Sequence, residues 1–186
     1  IITPPYEVGL KEAKTENVVI AEHDCLYTEE HLNWTPPKKD TFYYNDNMWL
    51  VQWGGNHPEL NGMYSYWGKR KALSQLICNR KLLINAINAR LEYLNEDYLL
   101  ARNIIFAGEP GLSRLKTNRK IARKIAESGK PAYLHKYFDD YLNNEKYEVF
   151  KTKIPNLDIR HGTNFTGPKR GQNRKYMLPY WGKFTI

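Results

Sequence analysis

Glu22, His23 and Asp24 stand together in "NVVIAEHDCLY", residues 17 to 27, directly after the apolar run Val18 to Ala21. Carboxylates spaced i, i+2 can face one divalent cation, and hard oxygen ligands suit Mg²⁺ or Mn²⁺ whose other side is held by a diphosphate. A solvated turn with Asp24 as an N-cap is the alternative reading of the same residues. A second constellation is "IPNLDIRHGTNFTGPKRGQNRKY", residues 154 to 176. There a short strand ends at Arg160, His161 and Gly162, and His161 can give a nitrogen ligand to the same cation. Lys169, Arg170, Arg174 and Lys175 follow among Gly167, Pro168 and Gly171. Glycine lets a backbone approach phosphate oxygens closely while guanidinium and ammonium groups neutralise them, although a basic nucleic-acid-binding arm has the same composition. Third, Glu109 stands between Gly108 and Pro110-Gly111 after an apolar run. A carboxylate on such a turn is a candidate general base, or a turn residue that faces water.

These residues need rigid elements to position them. In open α/β sheets, ligands bind beyond the carboxyl ends of strands, where loops present polar groups. The pattern "YEVGLKEAKTE", 6 to 16, predicts a helix leading into a strand over 17 to 22, the opening of an α/β alternation. "TFYYNDNMWLVQW", 41 to 53, predicts strands interrupted at Asn45-Asp46-Asn47, after the turn "TPPKKD". The Gly- and Asn-rich stretch 54 to 62 predicts a loop. Apolar positions 73, 76, 77, 83, 84, 87, 91 and 94 predict one helix from Lys71 to about Leu94. A second helix is expected over Arg114 to about Ser128, stopped by Gly129 and Pro131, and a third around 133 to 143. From Ile154 to Ile186 the chain reads as a long loop or wrapping segment.

The sequence has 186 residues, a length that suggests one domain with a single sizeable core. Hydrophobic residues at 41% and charged residues at 26% belong to a folded protein rather than a disordered one. No apolar run reaches the roughly 20 residues of a membrane span, and no signal-peptide pattern opens the chain, so a cytoplasmic location is expected. Cys25 and Cys78 lack metal-site spacing and read as free buried thiols. A net charge of +8 favours an anionic partner: a nucleotide, a nucleic acid or a phosphorylated glycan.

Taken together, "VVIAEHDCLY", "DTFYYNDNMW" (40 to 49), "SQLICNRKLL" (74 to 83), "GEPG" (108 to 111), "NLDIRHGTNFTGPKR" (156 to 170) and "PYWGKF" (179 to 184) resemble, in order and spacing, a bacterial and phage group of GT-A-fold glycosyltransferases. In that fold a divalent metal held by a DxD-type motif carries a nucleotide-sugar diphosphate, and "EHD" looks like a variant of that motif. The resemblance implies an α/β fold with a GT-A-like mixed sheet flanked by helices. It implies Asp24 as principal metal ligand, Glu22 as a metal or ribose contact, and His161 as the histidine closing the site. Lys169 and Arg170, with Arg174 beside them, would neutralise the diphosphate, and Glu109 would deprotonate the acceptor hydroxyl if the enzyme inverts the anomeric centre; inversion and retention both stay open. Mn²⁺ or Mg²⁺ and a nucleotide-sugar donor, a UDP-sugar first, are the implied cofactor and substrate. The acceptor suggested by related phage enzymes is a hydroxymethylated DNA base, which places the protein in the host cytoplasm if it is phage-encoded. One departure stands out. The helix and strand before the acidic motif are almost the first residues, so the nucleotide-binding half of the fold lies upstream, is abbreviated or comes from another chain. The competing expectation is a non-catalytic nucleic-acid-binding or assembly protein that keeps part of a transferase fold.

Overall fold

The protein is described by a computed structural model, which covers residues 3–54, 58–68, 71–96, 109–111, 145–161 and 174–184. It is a mixed α/β chain with two sheets and few helices. The chain divides into two compact units, one of residues 1–18, 35–43 and 77–148, the other of residues 19–34, 44–76 and 149–186.

In the first unit, helix α1 (Thr3–Glu12) packs on helix α3 (Arg80–Glu96). Arg80 ties them: its guanidinium donates to the Leu10 carbonyl at 3.2 Å and to the Thr15 carbonyl at 3.0 Å. A cation is thereby placed at the carboxyl end of α1, where unpaired carbonyls and the helix dipole favour positive charge. The segment from Lys71 is not one helix. A 3₁₀ turn at Leu73–Gln75 leads into strand β6 (Leu76–Asn79), and only then does α3 begin. Asn79 sets that start, since its Oδ1 accepts from the Lys81 and Leu82 amides at 3.0 and 3.3 Å. All four β6 residues are buried, and the apolar run Leu76 to Cys78 has a spacing that also fits a helix; the Asn79 cap breaks the tie.

A four-stranded sheet has the order β1 (Asn17–Val19), β6, β3 (Thr41–Asn45) and β7 (Lys146–Phe150). The strand expected over 17 to 22 therefore spans three residues. The predicted interruption after β3 is present: Asn45 Oδ1 accepts from the Asn47 amide at 2.9 Å, an Asx turn that ends β3 before β4 (Met48–Gln52) begins in the other sheet.

The second unit is built on a five-stranded sheet of order β2 (Cys25–Leu26), β8 (Asn156–Arg160), β4, β5 (Tyr64–Tyr66) and β9 (Arg174–Lys175). β4 and β8 run parallel and the other pairings are antiparallel. Because strand side chains alternate, Leu157 of β8 and Val51 of β4 share one face. With Tyr64 and Leu178 they form a core against which Trp49, Ile159, Trp181 and Phe184 pack. The opposite face carries Asn156, Asp158 and Arg160. Asn156 is fully buried and satisfied there: it accepts from the Thr28 amide at 3.0 Å and donates to Gln75 Oε1 at 2.8 Å. The segment from Ile154 is thus ordered into β8, β9 and a tight turn in which Leu178 and Gly182 exchange both backbone hydrogen bonds. Inside that turn Tyr180 has φ +75°, a left-handed conformation that costs a side chain with a Cβ about 1–2 kcal/mol. The expected helices at 114 to 128 and 133 to 143 lie outside the described residues.

His31 of the short helix α2 (Glu29–Leu32) is fully buried. Its Nδ1 faces Asn45 Nδ2 at 3.3 Å, and its ring stacks between Tyr27 and Phe150, with centroids 5.3 and 5.8 Å away. Asn45 Nδ2 can only donate, so the proton resides on Nε2, which has no hydrogen-bond partner among the described residues. Burial pushes the His31 pKa down to about 4 from the ordinary 6.5. Below 6.5 the unfolded chain takes up a proton that the folded chain refuses, so this site's contribution is complete above 6.5 and is lost as pH falls toward 4. The full loss is on the order of 2–3 kcal/mol. In urea titrations from pH 7 to pH 4, His31→Gln should flatten the fall in stability across that window; an unchanged slope would remove His31 as its source.

Candidate metal centre

Strand pairing explains why residues from the two ends of the chain meet in the second unit. β2 runs antiparallel to β8 with Cys25 opposite Asp158 and Leu26 opposite Leu157. Going backward from Cys25 along the chain therefore means going forward along β8: the Ile159 amide donates to the Asp24 carbonyl at 2.7 Å. One step further, the residues before Asp24 reach the level of His161, just past the carboxyl end of β8. The Trp53 amide, just past the end of parallel β4, donates to the Arg160 carbonyl at 2.7 Å and fixes the point where β8 ends.

Before β2 the chain makes a turn closed by the Cys25 amide on the Glu22 carbonyl at 3.2 Å, and the Glu22 amide donates to the Tyr27 hydroxyl at 2.9 Å. This turn presents the ionisable side chains. His23, Asp24 and His161 each offer a ligand atom, and the three atoms lie within 4.8 Å of one another. Ligands bonded to one ion at about 2.1 Å are at most about 4.2 Å apart, so small side-chain rotations suffice to converge them. Glu22, Asp24 and Cys25 form a second triplet under the same limit, sharing Asp24. Of the two, the first is the better metal site. Burial, followed by the nearby Asp158 charge, pushes the Cys25 thiol up to about 12, so a cation at the second triplet has to displace a firmly held proton, a cost that the first triplet avoids. Two imidazoles and a carboxylate suit Mn²⁺ or another first-row cation better than Mg²⁺, which favours oxygen ligands.

The structure brings Asp24 and His161 together, with Glu22 adjoining through the second triplet. His23 joins the candidates without having been one of the expected ligands: in a strand, the middle residue of three points away from its neighbours, but these three lie on a turn. Asp158 was missed too. It is 4% exposed, Arg160 holds its Oδ2 at 2.5 Å, and its Oδ1 has no hydrogen-bond partner among the described residues. Burial pushes its carboxyl up to about 6; Arg160 opposes this, and the charges of Asp24 and Glu22 add to it. The signal was present in "NLDIR", where one acid interrupts an apolar strand.

Arg174 lies in β9, its backbone paired with Ser65 and hence in a strand rather than a loop. Lys169 and Arg170 lie outside the described residues. Glu109 belongs to the first unit, where it is half-buried rather than exposed. The turn after it is real: Gly111 has φ +78°, and its amide donates to Glu145 Oε2 at 2.7 Å. A Cβ at Gly111 would come within 2.9 Å of the Tyr147 Cβ, so only glycine fits there.

Titrating the apoprotein with Mn²⁺ and reading free ion by electron paramagnetic resonance tests the assignment. Asp24→Ala and His161→Ala should each weaken binding at least about ten-fold, and His23→Ala should do likewise. Cys25→Ser should leave affinity within a factor of about two, because Cys25 is not one of the three side chains of the first triplet. Equal affinity in all four variants would exclude this cluster. Comparison of the chain with protein-family models, with curated proteins and with solved structures found no match.

Proposed function

We propose that this chain is a metal-dependent glycosyltransferase of GT-A type, moving a sugar from a nucleotide-diphosphate donor to a hydroxyl acceptor. The observation that carries the reading is the convergence of Asp24 with His161 and His23 beyond the carboxyl end of β8. A metal centre at that place in a sheet matches where α/β folds bind ligands. The net charge of +8 supports an anionic donor. Bound there, Mn²⁺ or Mg²⁺ would act as a Lewis acid on the departing diphosphate.

The protein's own residues have distinct tasks in this scheme. Asp24, His161 and His23 hold the cation, with Glu22 beside them for a metal or ribose contact. Lys169, Arg170 and Arg174 are assigned to the diphosphate oxygens, where cationic donors favour the leaving group over the intact donor. For the inverting course, Glu109 is assigned as the base that takes the acceptor proton as the acceptor oxygen bonds to the anomeric carbon and the bond from that carbon to the diphosphate oxygen breaks. These last four assignments rest on the resemblance of the motifs around them.

Calorimetry with UDP-glucose, UDP and Mn²⁺ checks the reading. UDP should bind only when Mn²⁺ is present, and Asp24→Ala should abolish that dependence without changing the melting temperature. UDP binding that ignores the metal, or survives in the variant, would sink the reading. So would the absence of any UDP binding by a folded chain that takes up Mn²⁺.

A further inference from the structure

The segment 174–184, "RKYMLPYWGKF", contains no acidic, amide or aliphatic hydroxyl side chain. Its charges are all cationic, on Arg174, Lys175 and Lys183, and they alternate with the rings of Tyr176, Tyr180, Trp181 and Phe184. Three of the four most exposed large hydrophobic side chains among the described residues fall here: Tyr180 at 70%, Met177 at 68% and Tyr176 at 60%. Packing accounts for Leu178, Trp181 and Phe184 but not for Tyr176, Met177 and Tyr180.

The turn that displays Tyr180 is held firmly from below. Leu178, 3% exposed, belongs to the core with Val51, Tyr64 and Leu157. Leu178 and Gly182 exchange amide–carbonyl hydrogen bonds at 3.0 and 2.7 Å, and Trp181 Nε1 donates to the Pro155 carbonyl at 2.7 Å. The edge of Trp181 braces Tyr180, with centroids 5.1 Å apart and planes at 88°. Lys175 is oriented by its ammonium lying 5.5 Å from the centre of the Trp49 ring. Tyr180 itself follows Pro179 with φ +75°, the backbone conformation that glycine adopts without strain. A strained backbone that presents an exposed aromatic ring on a rigid base points to a ligand for the ring.

We propose that the turn 175–183 is a stacking platform for the bases of single-stranded nucleic acid, with Tyr180 as the ring that takes a base and Lys175 and Lys183 attracting the phosphodiester backbone. Exposed rings set among cations are what sequence-tolerant single-strand binding needs, because every base has a π-face and every linkage a charge. A sugar ring also stacks on aromatics, but its hydroxyls call for carboxylate or amide partners, and this segment supplies none. The platform is independent of the metal centre, since it requires neither cation nor nucleotide-sugar.

Fluorescence anisotropy with a short labelled oligothymidylate, in EDTA and without donor, separates the two ideas. Wild type should bind, with affinity falling steeply between about 50 and 200 mM salt. Tyr180→Gly should bind about ten-fold more weakly yet melt at or above the wild-type temperature, because glycine relieves the left-handed strain while removing the ring. Tyr180→Phe should bind as wild type does. Failure of wild type to bind would overturn the proposal, as would equal affinity in Tyr180→Gly. A lower melting temperature for Tyr180→Gly would make the ring a packing element instead. Concentration-dependent dimerisation lost in Tyr180→Gly would assign the patch to a second copy of the chain, and would also overturn it.

Discussion

The antiparallel pairing of β2 with β8 is the constraint on which the second unit depends. β2 has only two residues, yet its register, Cys25 on Asp158, fixes everything before it: the Asp24 carbonyl on the Ile159 amide, the turn from Glu22, and the level at which His161 emerges. Side-chain orientation in a strand has a period of two, so a slip by one residue would turn the buried Cys25 outward. The same slip would carry Asp24 away from His161. Register and the candidate metal centre are therefore one property.

Polar groups are buried around this pairing, and the structure satisfies most of them. Asn156 joins Thr28 to Gln75 across one face of the sheet, while Asn45 joins His31 to Thr152. Such networks specify one arrangement, because a partner lost in the interior leaves a desolvated group unpaired. His31 Nε2 and Asp158 Oδ1 are among the buried atoms without a hydrogen-bond partner among the described residues, and burial shifts the protonation of both side chains. For Asp158 the neutral form is favoured by burial and by the neighbouring Asp24 and Glu22 charges together. Three acids meeting beside one turn is an arrangement that a bound cation would relieve.

The aromatic turn at Leu178 to Gly182 shows a different balance. Its two backbone hydrogen bonds and the buried Leu178 hold a conformation that Tyr180 does not favour. Local strain persists where surrounding contacts over-determine it, and here those contacts all lie beneath the exposed ring.

The sequence by itself determined the chemistry on offer. It pointed to the acids at Glu22 and Asp24, the histidine at the end of the strand before Gly162, the break at Asn45 to Asn47, the free thiols and the absence of a long apolar run; no helix among the described residues is long and apolar enough to cross a membrane. These are legible because each is a local matter of residue type, turn chemistry or charge. The start of α3 was not, since Leu73, Leu76 and Ile77 fit a helix period while lying in a 3₁₀ turn and a buried strand, and the Asn79 cap marks where the helix begins. Nor was His23 legible as a candidate ligand or Asp158 as a buried acid. Whether adjacent side chains converge depends on the turn between β1 and β2, and whether an acid in a strand is desolvated depends on which strands cover it. Only the tertiary structure decided those points, because strand register joins residues that the chain keeps far apart.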